Sequence, residues 1–154
     1  MSKLGNKKVD ENGSSVNKPN NGGVKPFKRV PYRELIRAEL ADELYNEIKE
    51  KLVVHKKYKQ PNYLAKDLAR ELETNTRYLS AVINARFGKN FSCLVNECRV
   101  EDARLLLVDK RYADKSIEQI SALVGFANRQ SFYTAFFKIM GEAPNNYRKR
   151  HEAK

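Results

Sequence analysis

Between Val124 and Gly141 the chain reads VGFANRQSFYTAFFKIMG. Phe132, Phe136, Ile139 and Met140 recur at helical spacing and read as core. The first turn differs in kind. Asn128, Arg129, Gln130 and Ser131 place long hydrogen-bonding side chains at the tip of an otherwise apolar helix. Arginine and glutamine each present paired polar atoms, the chemistry that reads base edges: Arg pairs with guanine, Gln with adenine. Taken alone, the same four residues describe an ordinary solvated first turn.

Other chemistries have no comparable footing. The two histidines, His55 and His151, stand far apart in the chain. There is no HExxH, CxxC or paired Cys/His spacing for zinc, and no GxSxG, P-loop or GxGxxG. Cys93 and Cys98 fall in one helical segment, five residues apart, and read as small apolar residues of a reducing compartment. The sequence therefore predicts no catalytic residue, no metal and no cofactor.

The 154 residues suffice for one ordinary domain or two very small ones. A formal net charge of +11 and a pI of about 9.7 favour a polyanionic partner, either nucleic acid or an acidic membrane surface. The apolar runs are too short to span a bilayer, and MSKLGNKKVDENGSS lacks the apolar centre of a signal peptide. The expected location is cytoplasmic, with no membrane partner.

The elements that must position the polar tip are helices. Residues 1–31, rich in Asn, Gly, Lys and Ser, are expected to be a disordered basic tail. Ala41, Leu44, Tyr45, Ile48 and Leu52 line one helical face; segment 33–40 is either an extension or a short helix of its own. A second helix carries Leu64, Leu68, Ala69 and Leu72, with Asn62 as its expected N-cap, and breaks at Thr74 and Asn75. A third carries Leu79, Val82, Ile83 and Phe87 and closes at Gly88. A long helix from about Phe91 to Asp109 follows, with Phe91, Leu94, Val95 and Cys98 inward and Ala103, Leu106 and Leu107 continuing that face. Ser116 and Gln119 form a capping box for a helix holding Ile117, Ile120 and Val124, which stops at Gly125. The helix of the opening stretch stops at Gly141, and Pro144 begins a last one containing Tyr147. No alternating strand pattern of useful length occurs, so the expected fold is all-α.

The second half restates the first. Leu68-Ala69 lies over Ile120-Ser121, Leu72 over Val124, Leu79 over Phe132, Ile83 over Phe136, Gly88 over Gly141 and Leu94 over Tyr147. Each unit is helix, turn, helix, with a small residue where the helices cross. Two copies in a basic chain outweigh what one amphipathic pair would show. In such a motif the second helix lies in the major groove and reads bases with its N-terminal residues. The expected units are 32–110, holding the first motif and a linker helix, and 111–154, holding the second.

SIEQISALVGFANRQSFYTAFFKIMGEAPNNYRK resembles the second-unit signature of the AraC/XylS family of bacterial transcription regulators: S-I-x-x-I-A-x-x-V-G-F, then F-x-x-x-F-K, then G-x-x-P-x-x-Y-R. LVNECRVEDARLLL is similar to the family's linker helix. Ser121 stands where Ala is usual, Phe137 where a basic residue is common, and Ala127 replaces the polar cap, moving the expected helix start to Asn128. The resemblance covers about residues 41–150 and implies two helix-turn-helix subdomains in a stand-alone DNA-binding member. It implies a first reading helix presenting Thr76, Arg77, Ser80 and Ala81, and a second presenting Arg129, Gln130, Tyr133 and Thr134. Ala81 replaces a long polar side chain, leaving Arg77 as the main reader of the first unit. The expected phosphate contacts are Thr76, Arg86, Lys89, Asn128, Lys138, Arg148, Lys149 and Arg150. Some relatives carry a methyl-transfer domain with a reactive cysteine upstream; no cysteine precedes Cys93, which argues against that enzyme.

A linker of about twenty helical residues spans roughly 30 Å, close to the roughly 34 Å between successive major grooves on one face of B-DNA. One chain could thus read two sites in adjacent grooves without dimerising. The expected partners are double-stranded promoter DNA and RNA polymerase, in the bacterial cytoplasm at the nucleoid. The competing expectation is a protein-interaction module that binds polymerase or another regulator, with only non-specific DNA affinity.

Overall fold

Tyr32–Lys49 forms the first helix, α1, so segment 33–40 is an extension and not a separate element. The computed structural model describes residues 32–152; the expected basic tail lies outside them. After α1 the ladder widens to π-helical over Glu50–Val54. Leu52 stays inside this turn at 2% exposure, while Val53 and Val54 face solvent. A short 3₁₀ turn, Lys57–Lys59, follows.

The remaining helices are α2 (Ala65–Glu71), α3 (Thr76–Phe87), α4 (Phe91–Val108), α5 (Ile117–Leu123), α6 (Arg129–Met140) and α7 (Pro144–Glu152). A second 3₁₀ turn, Lys110–Tyr112, lies between α4 and α5. No strand occurs among the described residues. Their caps explain their bounds. Ser116 Oγ accepts from the Gln119 amide at 3.0 Å, and Gln119 Oε1 accepts from the Ser116 amide at 2.8 Å, completing the expected box. Gly88 and Gly141 end α3 and α6 with φ of 70° and 79°, a conformation that glycine adopts without a Cβ penalty.

Two local expectations are corrected. Asn62 does not cap α2; it sits in a turn with φ of 60°. The residue before the helix is Leu64, whose amide donates to Asp67 Oδ2 at 2.8 Å, so the acidic half of a capping box starts α2. Asn75 is likewise no breaker. Its side chain accepts from the Tyr78 amide at 2.8 Å and starts α3, while the break falls earlier, at Glu73 with φ of 53°.

From Ile36 onward the chain is one compact unit containing two apolar clusters. The first joins Leu44, Ile48 and Leu52 to Leu68, Leu79, Ile83, Leu94 and Val95. The second joins Val100, Ala103 and Leu107 to Ile117, Ile120, Val124, Phe132, Phe136 and Tyr147. α4 feeds both, its N-terminal half lining the first and its C-terminal half the second. Aromatic edges knit the second cluster: Phe132 lies 5.2 Å from Phe126 and 5.6 Å from Phe136, ring to ring. One core expectation fails on α6. Ile139 is 41% exposed, whereas Met140, half-buried, packs against the second cluster.

Candidate nucleic-acid interface

The two repeats bury corresponding positions. Leu68 and Ile120 are fully buried, as are Leu79 with Phe132 and Ile83 with Phe136, and Ala69 and Ser121 are each 3% exposed. Ser121, a polar residue at a close helix crossing, is buried where the first motif has alanine. Each core thus holds the inner face of a second helix and leaves the first turn of that helix outside.

At the α3 tip, Thr76 and Arg77 are exposed, Ala81 is exposed, and Ser80 is half-buried. At the α6 tip, Asn128 is the N-cap, accepting from the Ser131 amide at 2.8 Å. Its side-chain oxygen is therefore spent on the helix, which leaves its amide nitrogen for other contacts. Arg129 is exposed; its Nε stands 3.1 Å from Glu118 Oε2, and its guanidinium lies 4.6 Å over the Tyr133 ring. Such an exposed pair holds little energy and yields readily to a better acceptor. Gln130 Nε2 donates to Thr134 Oγ1 at 3.3 Å, with both residues exposed. Tyr133 is half-buried, and its hydroxyl accepts from Asn145 Nδ2 at 3.2 Å. It serves as a brace beneath Arg129.

The other cations divide into two groups. Lys138 and Lys149 are exposed. Arg86 is paired with Asp42 at 2.5 Å, Lys89 with Glu97 at 2.6 Å, and Arg150 with Glu142. Arg148 turns inward, donating to the Lys115 carbonyl at 2.8 Å. A phosphate would reach these four only in competition with contacts inside the protein.

An open groove of about 590 Å³ runs from Ser80 on α3, past the start of α4, to the α6 tip. Ser80, Asn90, Ser92, Asn96, Asn128 and Ser131 line it together with Tyr63, Phe91 and the guanidinium-bearing Arg99, and no acidic residue does. Amides and hydroxyls without carboxylates suit a sugar–phosphate backbone. Cys98, half-buried on α4, has its thiol pushed up to about 11, by burial first and then by Glu97 and Asp102. At neutral pH it is a thiol and not a nucleophile.

Sequence reasoning missed Arg99. It is 8% exposed, and burial pushes its guanidinium below the usual arginine range, although it remains a cation. Its Nε donates to the Tyr58 carbonyl at 2.7 Å and its Nη2 to the Gln60 carbonyl at 3.0 Å. The signal was present: Arg99 lies one turn from both Val95 and Ala103, on the buried face of α4.

Two helix-turn-helix units with exposed polar first turns are the architecture of the helix-turn-helix class of DNA-binding proteins. The comparisons with known proteins agree. A family model described as a helix-turn-helix domain matches residues 68–150, more than half of the chain, and the chain belongs to that AraC-type helix-turn-helix family. The "Uncharacterized HTH-type transcriptional regulator YtdP" of Bacillus subtilis is 29% identical over 112 residues, covering 71% of this chain and 14% of that protein. The melibiose operon regulatory protein of Escherichia coli is 30% identical over 83 residues, 54% of this chain and 26% of that protein. The chain thus spans about a quarter or less of the length of these regulators. Among solved structures, the C-terminal domain of the response regulator AraT from Geobacillus stearothermophilus is 30% identical with a TM-score of 0.60, over 68% of this chain and 84% of that one. An AraC-type DNA-binding regulator from Chromobacterium violaceum is 25% identical with a TM-score of 0.52, over 58% and 77%. The chain carries the AraC-type helix-turn-helix domain that transcription regulators share. Among the described residues no helix is long and apolar enough to cross a membrane.

Proposed function

We propose that this regulator reads one particular duplex sequence by placing α3 and α6 in adjacent major grooves. The observation that carries the reading is the equivalence of the two tips. Both helices start at an asparagine cap, bury the same inner positions and expose the same outer ones. Arg77 reads the first half-site; Arg129 and Gln130 read the second, with Thr134 beside them and Tyr133 holding the Arg129 guanidinium. Ser80 and Ala81 lie against the first groove and contribute shape more than hydrogen bonds. Thr76, Lys138 and Lys149 hold phosphates, and the polar groove from α3 to the α6 tip receives the intervening backbone.

Both reading helices belong to one chain, so a monomer suffices. Bound beside a promoter, it acts on transcription by touching RNA polymerase in the bacterial cytoplasm. Selection from a random duplex library tests this reading. It expects an enriched sequence with two conserved blocks about one helical turn apart. A population that stays random after repeated rounds would instead favour a protein-interaction module with only sequence-blind DNA affinity.

A further inference from the structure

Arg99 stands at the junction of three parts of the chain. It springs from α4, its guanidinium donates to the Tyr58 and Gln60 carbonyls at 2.7 and 3.0 Å, and it lies 5.5 Å from the Phe126 ring. Tyr58 belongs to the first apolar cluster and Phe126 to the second. The loop holding Tyr58 is itself bracketed to α4. The Tyr58 hydroxyl donates to Asp102 Oδ2 at 2.6 Å, and Lys56 and Lys59 approach the same carboxylate at 3.2 and 3.7 Å. From the other side, Gly125 closes on this loop. A Cβ there would stand 2.3 Å from the Tyr58 oxygen and 2.8 Å from the Lys59 Cα. Gly125 also has φ of 107°, which a side chain would strain.

Two carbonyls, one aromatic face and a backbone contact with no room for a methyl thus meet around one buried fork. Lysine would supply the charge but not the planar pair of donors. The turn that opens toward the α6 tip is clamped at this point to the segment that leads into the first motif. A helix alone fixes the distance between two units but leaves their rotation about its axis to whatever contacts flank it.

We propose that Arg99, seated against Gly125, is a positioning residue that sets the spacing and phase of the two reading helices, so that the regulator accepts one separation of its half-sites. This rests on the two-groove reading above. The consequence is a form of specificity that no base contact supplies: two correct half-sites moved by one base pair are rejected.

The test uses the full chain and three duplexes derived from the selected sequence, with the natural spacer and with one base pair added or removed. The quantity read is the ratio of affinities within each variant, which cancels any loss of folded fraction. Wild type is expected to lose about a hundredfold on the altered spacers, because both modules can no longer engage together. Arg99→Lys and Gly125→Ala are each expected to narrow that ratio to about tenfold or less, while base substitutions within each half-site cost what they cost wild type. A ratio unchanged in both variants, with affinity falling equally on all three duplexes, overturns the proposal and leaves Arg99 a packing residue. A wild type indifferent to the spacer, protecting a single groove, would instead remove the two-groove reading and this inference with it.

Discussion

Asn75 and Asn128 occupy the same place in two copies of one motif. Each precedes a twelve-residue helix, and each accepts a hydrogen bond at 2.8 Å from the amide three residues on, Tyr78 in one case and Ser131 in the other. A cap fixes where a helix begins, and in the reading proposed above the beginning of the helix is what meets DNA. The pair therefore sets the register of both reading tips.

Replacing either cap by alanine is expected to cost about 1 kcal/mol of folding stability. Asn75→Ala and Asn128→Ala should lower the thermal midpoint by similar amounts, because the two hydrogen bonds are alike. Thermal unfolding followed by helical circular dichroism checks this, and an effect confined to one of the two would break the equivalence.

Base contacts and phosphate contacts separate by mutation. Arg129→Ala and Gln130→Ala should each cost about 1 to 3 kcal/mol on the selected duplex and little on random DNA. Lys138→Ala should weaken both alike, since a phosphate is the same everywhere. Ala81→Arg adds a long donor on the exposed face of α3, and should change the preferred bases in the first half-site only. Competition binding on specific and random duplexes reads all four.

Salt should act steeply. With about six to eight phosphates neutralised, log affinity is expected to fall against log salt with a slope near −5 to −7. Arg86, Lys89, Arg148 and Arg150 are engaged within the protein. If those contacts persist on DNA, Lys138 and Lys149 remain and the slope falls to about −2; titration at several salt concentrations measures it.

Cys98 should be nearly inert. With its thiol pushed up to about 11, only about one molecule in a thousand carries the thiolate at pH 8. Alkylation there should proceed far more slowly than that of a small free thiol, and should accelerate as pH rises toward 11. Mass spectrometry of the labelled peptide follows the rate; fast labelling at pH 8 would contradict the burial.

Much of this was legible in the sequence because it is periodic and local. Ser116 and Gln119 stand three apart and cap α5. Gly88 and Gly141 end their helices, and the buried positions of α3 recur in α6. What failed was local chemistry with two meanings. Asparagine favours both an N-cap and a left-handed turn, and Asn62 took the second role while Asn75 took the first. Ile139 fits the helical stripe, but the core is filled by Ala135 and Phe136 and leaves it outside. Arg99 escaped because its partners, Tyr58 and Gln60, lie far back along the chain in a turn that no periodicity marks.

The central claim is that one chain reads two adjacent major grooves. Methylation interference at guanine N7 on the selected duplex, with wild type and Arg77→Ala side by side, tests it most directly. N7 faces the major groove, so a methyl there blocks a reading helix and little else. The account predicts two clusters of interference about 10 base pairs apart on one face. Arg77→Ala should lose the first cluster and keep the second. A single cluster with wild type, or two clusters that Arg77→Ala weakens equally, would contradict it.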